Sequence, residues 1–174
     1  MKIKTYLILV MKKVFYSLLS KILPSNIVYA HCDIPCGVYD PHNAQMAAHT
    51  VLRMTQLIDE IGKMKNPTTE DRSKFVRCVA VKENHGELVE EELGTLENDY
   101  FKEEHYKKFP NLKKLIEKAV ELSIKTRQAI DMDGAQKMID ATMQIAEIFY
   151  KTKNLIPVRI SSGYPTEGEI VSHK

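Results

Sequence analysis

The chain has 174 residues, of which 44% are hydrophobic and 28% charged, with 7 Gly, 5 Phe and no Trp. This is the size of one domain and the balance of a helical globular core, which argues against a β-sandwich. The net charge of +2 is unevenly spread: residues 1–30 carry five Lys and no acid, and without them 20 basic residues face 23 acidic ones. No basic stripe with interleaved aromatics is left, which argues against a nucleic-acid partner, and any attraction of an anion has to be local.

Residues 1–30 read as a cleavable leader. The segment is cationic, apolar in short runs, and ends Ile27-Val28-Tyr29-Ala30, residue types suited to signal-peptidase cleavage. Lys12, Lys13 and Lys21 interrupt the apolar runs, so none nears the ~18 residues of a stable membrane span. A secretory signal and a dedicated maturation leader both fit. The expected location is cytoplasmic, or exported if the segment is a signal peptide, and Met11 is an alternative start.

Residues 31–40 form a loop with Pro35 and Gly37. Asp40-Pro41 then opens a first helix, Asp as N-cap and Pro in the first turn, running to about Met64. Val51, Met54, Leu57, Ile58 and Ile61 mark its buried face. Asn66-Pro67 ends it. Thr68 or Thr69 caps a second helix, with Glu70 and Asp71 in its first turn and Phe75, Val76, Val79 and Leu88 as its apolar positions. Gly86 and Gly94 weaken its continuity.

The aromatic-rich segment 95–109 reads as irregular toward its end. Pro110 opens a third helix bearing Leu112, Leu115, Ile116, Ala119 and Leu122, and Met132-Asp133-Gly134 breaks it. A fourth helix carries Met138, Ile139, Ile145, Ala146, Ile148 and Phe149. The expected fold is all-α, an antiparallel four-helix bundle over 31–153 with an N-terminal metal-binding hook. Residues 154–174, with Pro157, Gly163, Pro165 and Gly168, are expected to be a flexible or surface-docked tail.

The chemistry concentrates in His31–Pro41, HCDIPCGVYDP. If cleavage follows Ala30, His31 gains a free α-amine beside its imidazole. Cys32 then offers a thiolate and its backbone amide, and Cys36 a second thiolate. Amine, amide and two thiolates lie naturally in one plane, with the imidazole placed above it. Such a nitrogen-containing tetragonal set suits Ni(II) or Cu(II), whereas zinc prefers four His or Cys side chains. Thiolates and an amide anion also stabilise a higher oxidation state. A Cys-x-x-x-Cys pair is in itself compatible with a redox-active disulfide, or with no special role. Its position beside the cleavage point favours the metal. Cys78, far off in a helical stretch, reads as a small buried apolar residue.

HCDIPCGVYDP resembles the N-terminal nickel hook of the nickel superoxide dismutases at all eleven positions, with Ile34 where Leu is common. NDYFKEEHYKKFPNL, Asn98–Leu112, is similar to that family's segment between helices. The resemblance covers about His31 to Lys153. It implies a homohexamer that disproportionates superoxide, with one nickel ion per subunit. It further implies ligation by the amine and imidazole of His31, the amide and thiolate of Cys32, and the thiolate of Cys36. A maturation protease would remove the leader. Tyr39 and Tyr100 match two tyrosines beside the open face of the metal, and Asp33 presents its backbone amide near the substrate approach. Without the resemblance Tyr100 would read as a core aromatic.

The family pattern is broken at two places. Ala47 and His85 stand where some relatives carry a Glu and an Arg that hold the axial His. His85 either substitutes for that clamp or faces solvent. His42 and His49 read as surface residues of the first helix, His105 as structural or exposed, and His173 as a surface residue. A non-enzymatic nickel or copper carrier would share the hook and is the rival reading.

Overall fold

The computed structural model describes residues 36–174. The leader and His31, Cys32 and Asp33 of the hook lie outside the described residues. Helix α1 spans His42–Gly62, α2 Thr69–Thr95, α3 Glu103–Lys108, α4 Leu112–Gln128 and α5 Met132–Thr152, with a π-helical turn at Leu96–Tyr100. The α1–α2, α2–α4, α4–α5 and α5–α1 pairs pack side by side, which makes a four-helix bundle with α3 in the long connection.

Local chemistry accounts for most helix ends. The Asp40 carboxylate accepts the His42 N–H at 2.8 Å, so it starts α1 from one residue before the N-cap, which is Pro41. Thr68 and Asp71 form a full capping box on α2. Helix α2 runs unbroken through both glycines. At Gly86 a Cβ would lie 2.2 Å from Arg127 Cγ, so the missing side chain is what lets α4 approach. The Ser123 hydroxyl seals that approach by donating to the Gly86 carbonyl at 2.8 Å.

Two expectations about these helices are corrected. Val76 is 67% exposed, because the buried face of α2 is instead Cys78, Lys82, Gly86, Val89 and Leu93. Met132-Asp133-Gly134 is not a break but the first turn of α5, capped by the Asp131 carboxylate, which accepts the Gly134 N–H at 2.8 Å.

The tail is a further departure from a chain without regular structure. Strands β1 (Pro157–Ser161) and β2 (Glu169–His173) form an antiparallel hairpin, with Arg159 opposite Val171. It seats on the bundle through buried Val171, whose N–H donates to Gln45 Oε1 at 2.7 Å and whose carbonyl accepts from Gln45 Nε2 at 3.1 Å. Gln45 thus pairs with the strand edge as another strand would.

His49 is buried under the hairpin, not on the surface as expected. Its Nε2 lies 3.2 Å from the Glu169 carbonyl and its Nδ1 2.8 Å from the Thr166 hydroxyl. The carbonyl can only accept, so Nε2 carries the proton and Nδ1 accepts from Thr166. Cys78 is buried, in agreement with its apolar reading.

Between α2 and α4 lies a buried cation. Lys82 is 2% exposed, and its Nζ donates to the carbonyls of Thr126, Arg127 and Ala129 at 2.5, 2.5 and 2.9 Å. These include carbonyls that the end of α4 leaves without helical partners, at the negative pole of its dipole. Lys82→Met is expected to lower unfolding free energy by about 2–3 kcal/mol in urea denaturation, since buried acceptors lose a charged donor.

Burial also holds His49 below the ordinary imidazole pKa, opposed in part by its bond to Glu169. The unfolded chain therefore binds this proton first. Stability tied to His49 is complete above about pH 6.5 and is lost as pH falls toward the depressed native value. The drop in melting temperature between pH 7.5 and pH 5 is expected to shrink in His49→Gln relative to the parent.

Candidate metal centre

Cys36, Gly37, Val38, Tyr39 and Asp40 lead directly into α1. Gly37 has φ of +72°, a left-handed turn that suits glycine. This turn brings the Val38 N–H within 3.4 Å of Cys36 Sγ. The same sulfur also lies 3.9 Å from the Val38 carbonyl, so the turn folds back onto Cys36 through both backbone groups of Val38. Cys36 is exposed, and its neighbour Val38 is 73% exposed. Of the three expected ligands, Cys36 alone falls within the described residues. Among those residues no group of three or more His, Cys, Asp or Glu is arranged to hold a metal ion.

The structure brings Tyr39 and Tyr100 together, with ring centroids 5.6 Å apart and planes at 51°. Tyr100 ends the π-helical turn and rests on Phe149 at 4.5 Å, with His105 stacked on it at 5.6 Å and 16°. His105 has a structural role: its Nδ1 accepts the Lys102 N–H at 3.0 Å at the start of α3.

The Tyr100 hydroxyl lies 2.6 Å from Thr152 Oγ1, and Thr152 in turn lies 2.6 Å from the Phe149 carbonyl. That carbonyl can only accept, so Thr152 spends its proton there and receives the Tyr100 proton. Tyr100 is therefore a donor into the protein.

Sequence reasoning missed three groups at this end. Lys153 Nζ donates to the Tyr39 carbonyl at 3.1 Å and sits over the Phe149 and Tyr100 rings at 4.5 and 5.6 Å. Tyr150, 4% exposed, faces the Asp40 carboxylate. Burial first, and then that charge, push its phenol up to about 12, so it stays a donor. Lys153 and Tyr150 follow Phe149 in one turn of α5, a spacing that in sequence looks like ordinary helix surface. The third group, Thr152, resembles any C-terminal threonine.

The two departures from the family pattern also have places. Ala47 is buried in the core at 1% exposure. His85 is half-buried, and its Nδ1 donates to the Val81 carbonyl of its own helix at 2.9 Å.

Fold and loop together define a four-helix bundle preceded by a cysteine-bearing turn. Comparison with known proteins makes this specific. The family described as nickel-containing superoxide dismutase matches residues 26–153. The superoxide dismutase [Ni] of Streptomyces seoulensis is 35% identical over 130 residues, 75% of this chain and 93% of that protein. The corresponding protein of Streptomyces coelicolor is 33% identical over the same shares. A crystal structure of nickel-containing superoxide dismutase, with nickel ligation corresponding to the oxidised state, superposes with a TM-score of 0.63 at 33% identity. It covers 71% of this chain and 99% of the other. The chain belongs to the nickel-containing superoxide dismutase family.

Thr152→Val keeps the shape but removes the acceptor of the Tyr100 hydroxyl. It is expected to lower unfolding free energy by about 1–3 kcal/mol, the cost of a half-buried donor without its partner. Urea denaturation monitored by circular dichroism checks it.

Proposed function

We propose that this chain is the precursor of a nickel-dependent superoxide dismutase that becomes competent when the segment before His31 is removed. The observation that carries this reading is the family match over 26–153, which runs from just ahead of His31 through the whole bundle. The donor set fits nickel: Cys36 offers an exposed sulfur on the Gly37 turn, and His31 and Cys32 supply nitrogen and sulfur from the same short loop. The holding groups are the amine and imidazole of His31, the amide and thiolate of Cys32 and the thiolate of Cys36. Five donors of this softness select nickel or copper over zinc.

Nickel held there supplies one-electron redox chemistry between its +2 and +3 states, so that two superoxide ions and two protons become dioxygen and hydrogen peroxide. The protein's own part is to admit a small anion, exclude larger reductants and keep the sulfurs from oxidation. Tyr39 and Tyr100 form one wall of the approach. Tyr100 directs its proton at Thr152 and so acts as a wall, not as a proton source; the two protons come from solvent. Lys153 places a charge of favourable sign beside that wall. Asp33 contributes through its backbone amide at the approach.

The processed chain assembles as a homohexamer, and a maturation protease exposes His31. Among the described residues no helix is long and apolar enough to cross a membrane. The reading places the enzyme in the cytoplasm unless the leader directs export.

Protein beginning at His31 is expected to take up about one nickel ion per chain and to gain dismutase activity. Protein retaining Ala30 should gain neither, because the α-amine is then part of a peptide bond. Nickel analysis and a superoxide-consumption assay on both forms check this, and equal activity in the two would refute the ligand set. A carrier would load nickel at His31 yet show no turnover.

A further inference from the structure

The hairpin lies outside the part of the chain that matches the family, which stops at residue 153. Its contacts are concentrated at one end of the bundle. Val171 donates its N–H to, and accepts at its carbonyl from, the side-chain amide of Gln45, in the first turn of α1 and fully buried. His49, one turn further on, is pinned by Thr166 and Glu169. Arg159 pairs with Glu147 of α5 at 2.8 Å, so the hairpin grips both helices. At the strand's end His173 covers the ring of Tyr150 at 4.8 Å. Tyr150 faces the Asp40 carboxylate, which accepts the His42 N–H that starts α1, and the Gln45 N–H donates to the Pro41 carbonyl at 3.3 Å.

We propose that the C-terminal hairpin is a clamp that positions the metal loop: it fixes the first two turns of α1 against α5, and through Tyr150 and Asp40 it sets the placement of Tyr39 and Cys36. Gln45, Tyr150 and His173 are its positioning residues, and none of them touches substrate. The path is short. Tyr39 is the residue before Asp40, and Cys36 is four positions before it. Lys153, the last residue of the family match, ties the same segment from the α5 side at the Tyr39 carbonyl. The loop is thus anchored from α5 and from the hairpin, while its other flank, at Cys36 and Val38, is exposed.

The catalytic purpose of the clamp rests on the metal-site reading above. Its physical action does not, and the test is made on the metal-free chain. Hydrogen exchange is compared between the full chain, a chain ending at Asn154, and full-length Tyr150→Phe and His173→Ala.

The clamp predicts that truncation speeds exchange at Val38, Tyr39 and Gln45–His49 by tenfold or more, about the effect of one lost buried hydrogen bond. Exchange at the far end, Thr55–Ile61 and Cys78–Val81, should stay within about twofold of the parent. Tyr150→Phe should reproduce the change at Val38, Tyr39 and His42 with the hairpin intact. His173→Ala should move the same amides by less. In the ultraviolet titration of tyrosine, truncation should bring one phenol down from about 12 toward the ordinary value near 10.

Equal acceleration in all four helices would make the hairpin a general stabiliser and overturn the clamp. Unchanged exchange at Val38 and Tyr39 would make it a passive cover, with the same result. If the truncated chain fails to fold, the two point variants decide, and unaltered exchange in both refutes the route through Tyr150. A mature chain that binds no nickel would overturn the metal reading and leave these exchange results standing.

Discussion

The metal-loop end of this molecule is organised around one buried ring. Phe149 is fully buried in the last turns of α5. Tyr100 lies on it from the π-helical turn, the Lys153 ammonium sits over it, and its carbonyl takes the Thr152 proton. Each of these groups then reaches outward: Tyr100 to Tyr39, Lys153 to the Tyr39 carbonyl, and Thr152 to the Tyr100 hydroxyl. The antiparallel packing of α5 on α1 makes this possible, because the end of one helix then meets the start of the other. A shift of α5 by one residue would turn Phe149 by about 100° and dissolve every contact at once.

This arrangement divides the labour between loop and bundle. On the proposed reading the ligating donors lie within six consecutive residues, so the chelate needs no cavity assembled from distant helices. A loop that chelates by itself still needs a fixed point, or its ordering entropy is charged against metal affinity. The bundle supplies that point at Tyr39, Asp40 and Pro41. It also supplies the wall of the approach, with Tyr100 locked by Thr152 and His105. The far end of the bundle, with Lys82 closing off α4, serves stability alone.

What could be read from the sequence was what depends on near neighbours. The proposed hook could be put forward from sequence because its candidate donors are adjacent. The α1 and α2 starts are legible because Asp40-Pro41 and Thr68-Glu70-Asp71 cap within four residues. Met132-Asp133-Gly134 misleads because Gly134 looks like a breaker, whereas its amide is the donor that an Asp131 cap requires. The hairpin was illegible for another reason. Its strands are five residues each, and they are held by Gln45 and His49, well over 100 positions earlier in the chain. No periodicity within 154–174 announces a partner that distant. The burial of His49 was missed with it, since a helix reads as solvent-facing until something is known to cover that face.

The two breaks with the family pattern acquire a common sense in this light. At position 47 the chain has a buried methyl group, which offers no polar atom to an imidazole. At position 85 one ring nitrogen is already given to the Val81 carbonyl. A carboxylate from the first helix paired with a guanidinium from the second is therefore closed to this chain as a means of orienting the loop from its helical side. The tethers that are present run from the other direction: Lys153 to Tyr39, Tyr150 to Asp40, and Val171 to Gln45. The third of these belongs to a segment that the family match does not include. Restraint from α5 and from the hairpin acts on the same few residues that lead into α1, although Val171 and Gln45 lie 126 positions apart in sequence.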